Sequence, residues 1–129
     1  MTEIEQPTTR EIVLALAETI VEKMGRDVRI LDLRGLTEIA DWFIIASVQS
    51  KRHLKILGGD LVSEIKSANI GPIRVEGLTS ESWAIIDMFD IVVHLFLPDK
   101  RDFYSLEDYW ADAPSETIGI EVEGEEDAV

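Results

Sequence analysis

A chain of 129 residues with 46% hydrophobic content is long enough for one domain with a sizeable core, and too short for two ordinary domains and a linker. Its 26 acidic against 12 basic residues give a formal charge of -14, which excludes a general basic surface for nucleic acid or anionic membranes and makes a basic partner the natural complement. The absence of cysteine removes disulfides, thiolate metal sites and cysteine nucleophiles.

The N-terminus carries acids where a secretory or mitochondrial leader needs bases, and no apolar run approaches the length of a membrane span. With the lack of cysteine, this predicts a soluble, unprocessed, cytoplasmic protein. Thr8 and Glu11 have capping-box spacing. Behind them Ile12, Leu16, Ile20 and Met24 recur every four residues, which predicts an amphipathic helix that Gly25 stops. Residues 28–33 and 42–47 are rich in β-branched and aromatic side chains and predict two adjacent strands. A second helix is expected from Ser50, with Leu54, Leu57, Leu61 and Ile65 on one side. Gly58-Gly59 inside it implies either a close neighbour or a bend, since each glycine costs about 1 kcal/mol relative to alanine. Residues 73–76, 83–87 and 90–97 read as three further strands, and Pro98-Asp99 opens a last short helix with Phe103, Leu106, Tyr109 and Trp110 at helical spacing.

The expected fold class is α/β, a mixed sheet of about five strands with flanking helices. Residues 1–114 form the domain in this reading. Residues 115–129 hold six carboxylates and no lysine or arginine, and are expected to be a mobile acidic tail.

The segment 83–97 bears most directly on function. With Met88-Phe89 as a two-residue turn, Asp87 would oppose Asp90, Ile86 would oppose Ile91, and Trp83 would oppose His94. One face of the hairpin is then wholly apolar. The other carries Trp83, Ile85, Asp87, Asp90, Val92 and His94, too apolar for simple solvent exposure and too polar for a sealed core. An open face of this kind suits a protein partner with Lys or Arg. Asp87 could also cap the turn, or Asp87 and Asp90 could hold a divalent cation as in nucleotide-transferring enzymes, but a third oxygen ligand and a phosphate-binding base are not evident. His53, in Ser50-Lys51-Arg52-His53, could help bind an anion at a helix start or simply accompany a serine cap. No nucleophile elbow, phosphate loop or metal-type histidine spacing is present in the sequence. The motifs present assign no catalytic residue and no cofactor, and the divalent-cation reading of Asp87 and Asp90 stays as the rival.

Asp41-Trp42-Phe43-Ile44-Ile45-Ala46-Ser47, Ser50-Lys51-Arg52-His53, Glu76-Gly77, Trp83 with Asp87, Asp90 and His94, and Tyr104-Ser105-Leu106-Glu107 with Trp110 resemble the ribosomal silencing factor (iojap-like) family over about residues 9–113. The resemblance implies a nucleotidyltransferase-like fold without enzymatic activity, commonly a homodimer when free. It also implies a translational repressor that binds the large ribosomal subunit through its fourteenth ribosomal protein. Joining of the small subunit is then blocked, especially in stationary phase or starvation. The partner-binding residues it implies are Trp83, Asp87, Asp90, His94, Tyr104, Leu106 and Glu107. The alternative is a metal-dependent nucleotidyltransferase-like enzyme using Asp87 and Asp90. The chain departs from the family where relatives usually place glycine between the two aspartates: here Phe89 stands. It departs again at Ser47-Val48, where the usual pair is Thr-Gly.

Overall fold

In the computed structural model, which describes residues 7–79 and 82–119, the element order is α1 (Thr9–Glu22), β1 (Arg26–Asp32), β2 (Trp42–Ser47), α2 (Lys51–Ala68), β3 (Arg74–Glu76), β4 (Trp83–Asp87), β5 (Ile91–Phe96), α3 (Pro98–Tyr104), α4 (Leu106–Tyr109) and β6 (Ser115–Ile118). The capping box is formed in full: the Thr8 hydroxyl accepts from the Glu11 N–H, and the Glu11 carboxylate accepts from the Thr8 N–H. Ser50 caps α2 by accepting from the His53 N–H.

The strands make one sheet of order β3-β4-β5-β2-β1-β6. The β2 and β5 strands run parallel at its centre, and every other neighbouring pair is antiparallel. Because alternate residues of a strand point to opposite faces, the sheet carries two cores. Val28, Ile30, Trp42, Ile44, Ala46, Ala84, Ile86, Val93 and Leu95 pack with α1 and α2. On the opposite face Leu31, Phe43, Ile45, Val92 and Phe96 gather with Ala40 and Ala113, and Leu106 and Trp110 pack against them.

Gly58 is explained by close approach. A Cβ there would collide with the Leu78 side chain, while at Gly59 it would meet nothing.

Six strands form rather than five. The sixth is the beginning of the segment expected to be a mobile tail: Ser115–Ile118 pairs antiparallel with β1, matching Val28 with Ile118 and Ile30 with Glu116. The Asp32 N–H donates to the Pro114 carbonyl at 2.9 Å, and Arg10 reaches Glu116 at 2.7 Å. The free edge of β1 supplies the backbone partners that four residues of weak apolar content do not advertise by themselves. The remaining acids of that segment lie outside the described residues.

Candidate docking surface

The hairpin that carries the candidate residues turns one residue later than expected, which moves every cross-strand partner by two. Met88 N–H donates to the Ile91 carbonyl at 2.8 Å, so the loop is Phe89-Asp90. Asp87 therefore opposes Val92, Ile85 opposes His94, and Trp83 opposes Phe96. The pairing of Asp87 with Asp90 does not form. Since the shift in register is even, the side chains keep the faces assigned to them.

What changes is the cover over the second face. Its centre is roofed by the C-terminal helices, so it is a second core there and not an open sheet surface. Pro98 begins α3, and Ser105 in the left-handed conformation (φ 48°) ends it and starts α4. This break turns Leu106 and Trp110 onto the sheet while Phe103 and Tyr109 project outward.

His94 is buried at 6% exposure and is not available to a partner as the structure stands. The Trp83 indole N–H donates to its Nδ1 at 3.1 Å, and Phe43 packs edge-on with ring centroids 4.5 Å apart. Its Nε2 has no hydrogen-bond partner among the described residues. Burial pushes the imidazole down to about 4, against a smaller upward pull from the Asp87 carboxylate, so it is neutral near pH 7.

Trp83 is half-buried and lies between Phe96, at 4.9 Å, and Tyr104, at 4.5 Å. Tyr104 in turn meets Phe103 at 5.0 Å. Phe103, Tyr104 and Tyr109 are 74%, 44% and 76% exposed. Asp99, Asp102 and Asp108 stand exposed on the same two helices. The result is an aromatic surface with an acidic surround, carried mainly by the helical roof.

Leu106 and Glu107 belong to the support beneath this surface. Leu106 packs on the second core, and the Glu107 carboxylate is taken by Arg101, whose Nε and Nη2 both donate to Oε2. Arg101 is 7% exposed, and its Nη1 donates to the Ser47 hydroxyl at 2.8 Å. One guanidinium thus ties α3 to α4 and to β2.

Asp87 is half-buried, and its Oδ1 accepts the Phe89 N–H at 2.9 Å, the turn-capping role weighed for it. The Asp90 residue is exposed, while its carbonyl accepts from the Asp41 and Trp42 N–H groups. His53 is a structural tie: its Nδ1 accepts from the Gln49 N–H and its Nε2 lies 2.8 Å from the Lys23 carbonyl, joining the end of α1 to the start of α2. The spacing marks Phe103 and Tyr109 only as helix positions and not as outward-facing ones, and nothing in it singles out Arg101. The available signal was the crowding of acids around aromatic residues in 99–112, which a purely inward-facing helix does not need.

Fold and surface together define an α/β domain with an acidic, aromatic face on its C-terminal helices. The model of the family "Ribosomal silencing factor during starvation" matches residues 6–128, and the chain belongs to that family. A "Ribosomal silencing factor RsfS" of Halalkalibacterium halodurans is 31% identical over 117 residues, which covers 91% of this chain and 97% of that protein. A crystal structure of a protein from Chromobacterium violaceum superimposes with a TM-score of 0.77 at 32% identity, over 81% of this chain and 88% of that one. The mouse "Mitochondrial assembly of ribosomal large subunit protein 1" is 29% identical over 98 residues, 74% of this chain and 43% of that protein.

Proposed function

We propose that this chain is a cytoplasmic translational repressor that binds the large ribosomal subunit through the fourteenth large-subunit ribosomal protein and sterically blocks joining of the small subunit. The occasion for it is starvation or stationary phase, and the free protein is a homodimer. The observation that carries the reading is the exposed run Phe103-Tyr104 continuing into Trp83, set among acids on a protein of charge -14. Aromatic side chains supply desolvated contact area, and the surrounding carboxylates attract a basic ribosomal protein over a distance. The family's description as a silencing factor and the mouse relative's name, which refers to the large subunit, point the same way.

In this reading Trp83, Asp87, Asp90 and Tyr104 face the partner, while His94, Leu106 and Glu107 hold them in place. The mechanism is occupancy: a bound domain excludes the other subunit without any bond being made or broken. It competes when its complex is tighter than subunit joining at cellular concentrations. The test is co-sedimentation with isolated large subunits together with a subunit-joining assay. Binding and inhibition are expected, and failure of both ends the reading. Charge reversal at Asp87 and Asp90 is expected to weaken association more than reversal of Glu121 and Glu123; equal losses would mean that net charge alone drives it.

A further inference from the structure

The Phe89 backbone is held at φ +76°, a left-handed conformation that L side chains adopt at a cost of roughly 1–2 kcal/mol and that glycine adopts freely. The Asp90 N–H folds back onto the Met88 carbonyl at 3.0 Å, closing a tight turn around it. The side chain recovers little of this cost inside the molecule, because the residue is 67% exposed. Strain kept at a surface residue is an outlier from which function can be inferred.

Phe89 lines a cleft of about 330 Å³, with Pro72 and Ile73 as its other apolar lining and Arg74 and Asp87 as its polar lining. Asp87 Oδ1 is committed to the turn, which leaves Oδ2 without a hydrogen bond among the described residues. Arg74 stands opposite Asp87 in register, yet it makes no ion pair within 4.0 Å there. An aromatic wall beside an unfilled carboxylate oxygen fits the stem and head of a long cationic side chain: the ring takes the charge on its face, and the carboxylate accepts the N–H groups. Asp87 lies four residues along β4 from Trp83, so the two side chains leave the sheet on the same face.

We propose that Phe89 and Asp87 together grip one Lys or Arg side chain of the protein partner, and that Phe89 is a specificity determinant of this chain. The proposal rests on the large-subunit reading and names the chemistry that its hairpin end would recognise.

The experiment measures dissociation constants of the full chain for isolated large subunits alongside melting temperatures. Phe89→Gly relieves the strained backbone, so its melting temperature is expected to equal or exceed that of the unaltered chain while binding weakens at least tenfold. Phe89→Tyr keeps an aromatic wall and is expected to bind within about twofold. Asp87→Asn preserves the turn-capping oxygen and removes the charge, and is expected to weaken binding by a similar factor. In the double variant the losses should fall short of their combined effect, since both changes release the same cation. Unchanged affinity of Phe89→Gly overturns the proposal while leaving the large-subunit reading intact, and so does full additivity in the double variant. If the unaltered chain itself fails to bind large subunits, both readings fall.

Discussion

His94 shows how burial, hydrogen bonding and charge decide a residue's use. Its imidazole is neutral because the second core excludes water, and Trp83 has already taken its Nδ1. Unfolded, the same group titrates near 6.5. Between pH 6.5 and about 4 the unfolded chain therefore binds a proton that the folded one refuses, so stability is present above that window and is lost as pH falls through it. The loss is expected to approach about 3 kcal/mol. Denaturant titrations of His94→Asn across the window should show a shallower slope than the unaltered chain, and an identical slope would refute the assignment. Arg101 provides the opposite case, a buried charge that is fully used. Arg101→Met leaves the Glu107 carboxylate without its cation and is expected to destabilise by about 3 kcal/mol, whereas replacing both by Met should cost less than the single change. The two denaturation midpoints check this.

At the scale of elements, two junctions decide what the surface looks like. The left-handed Ser105 breaks what the spacing of Phe103, Leu106, Tyr109 and Trp110 suggested was one helix. That break lets the inward pair cover the sheet while the outward pair stays in water. The second junction is the β3–β4 connection, where Gly77 has φ +86° and a Cβ would run into the Trp83 carbonyl oxygen. Backbone cannot yield there as a flexible side chain can. Gly77→Ala is expected to cost more than about 2 kcal/mol and to loosen the placement of Trp83, read as a lower melting temperature with a changed tryptophan emission. The β6 strand is tested by ending the chain at Pro114. Exposure of the β1 edge should lower stability and speed amide exchange at Val28 and Ile30, and unchanged exchange would show that β6 contributes nothing.

For the whole molecule the dominant quantity is charge. A surplus of 14 negative charges repels itself at low ionic strength and draws in a basic partner from a distance. Salt screens exposed charges beyond about 8–10 Å near physiological strength, so the association rate with large subunits should fall as salt rises while the dissociation rate, set by aromatic burial, changes little. Stopped-flow measurements at two salt concentrations separate these. A salt-insensitive association rate would remove electrostatic attraction from the proposed function.

Local signals were legible in the residues themselves: the Thr8–Glu11 cap, the recurrence of Ile12, Leu16 and Ile20 in α1, the Ser50 cap, and the β-branched run of β2 all act between near neighbours and appear as expected, whereas Met24, expected to continue the α1 recurrence, lies beyond the helix end at Glu22 with φ +76° and is exposed. The two faces of the hairpin were legible too, since alternation survives an even slip in register. Tertiary structure alone decided that β2 and β5 lie parallel, that Ser115–Ile118 joins the sheet, and that the second face is roofed and not open. Those outcomes depend on contacts between residues far apart in sequence, whose free energy exists only once the rest of the sheet is in place. Hence the same sequence that marked Trp83, Asp87 and His94 as belonging to one face could not say that His94 would end beneath it and Trp83 at its rim.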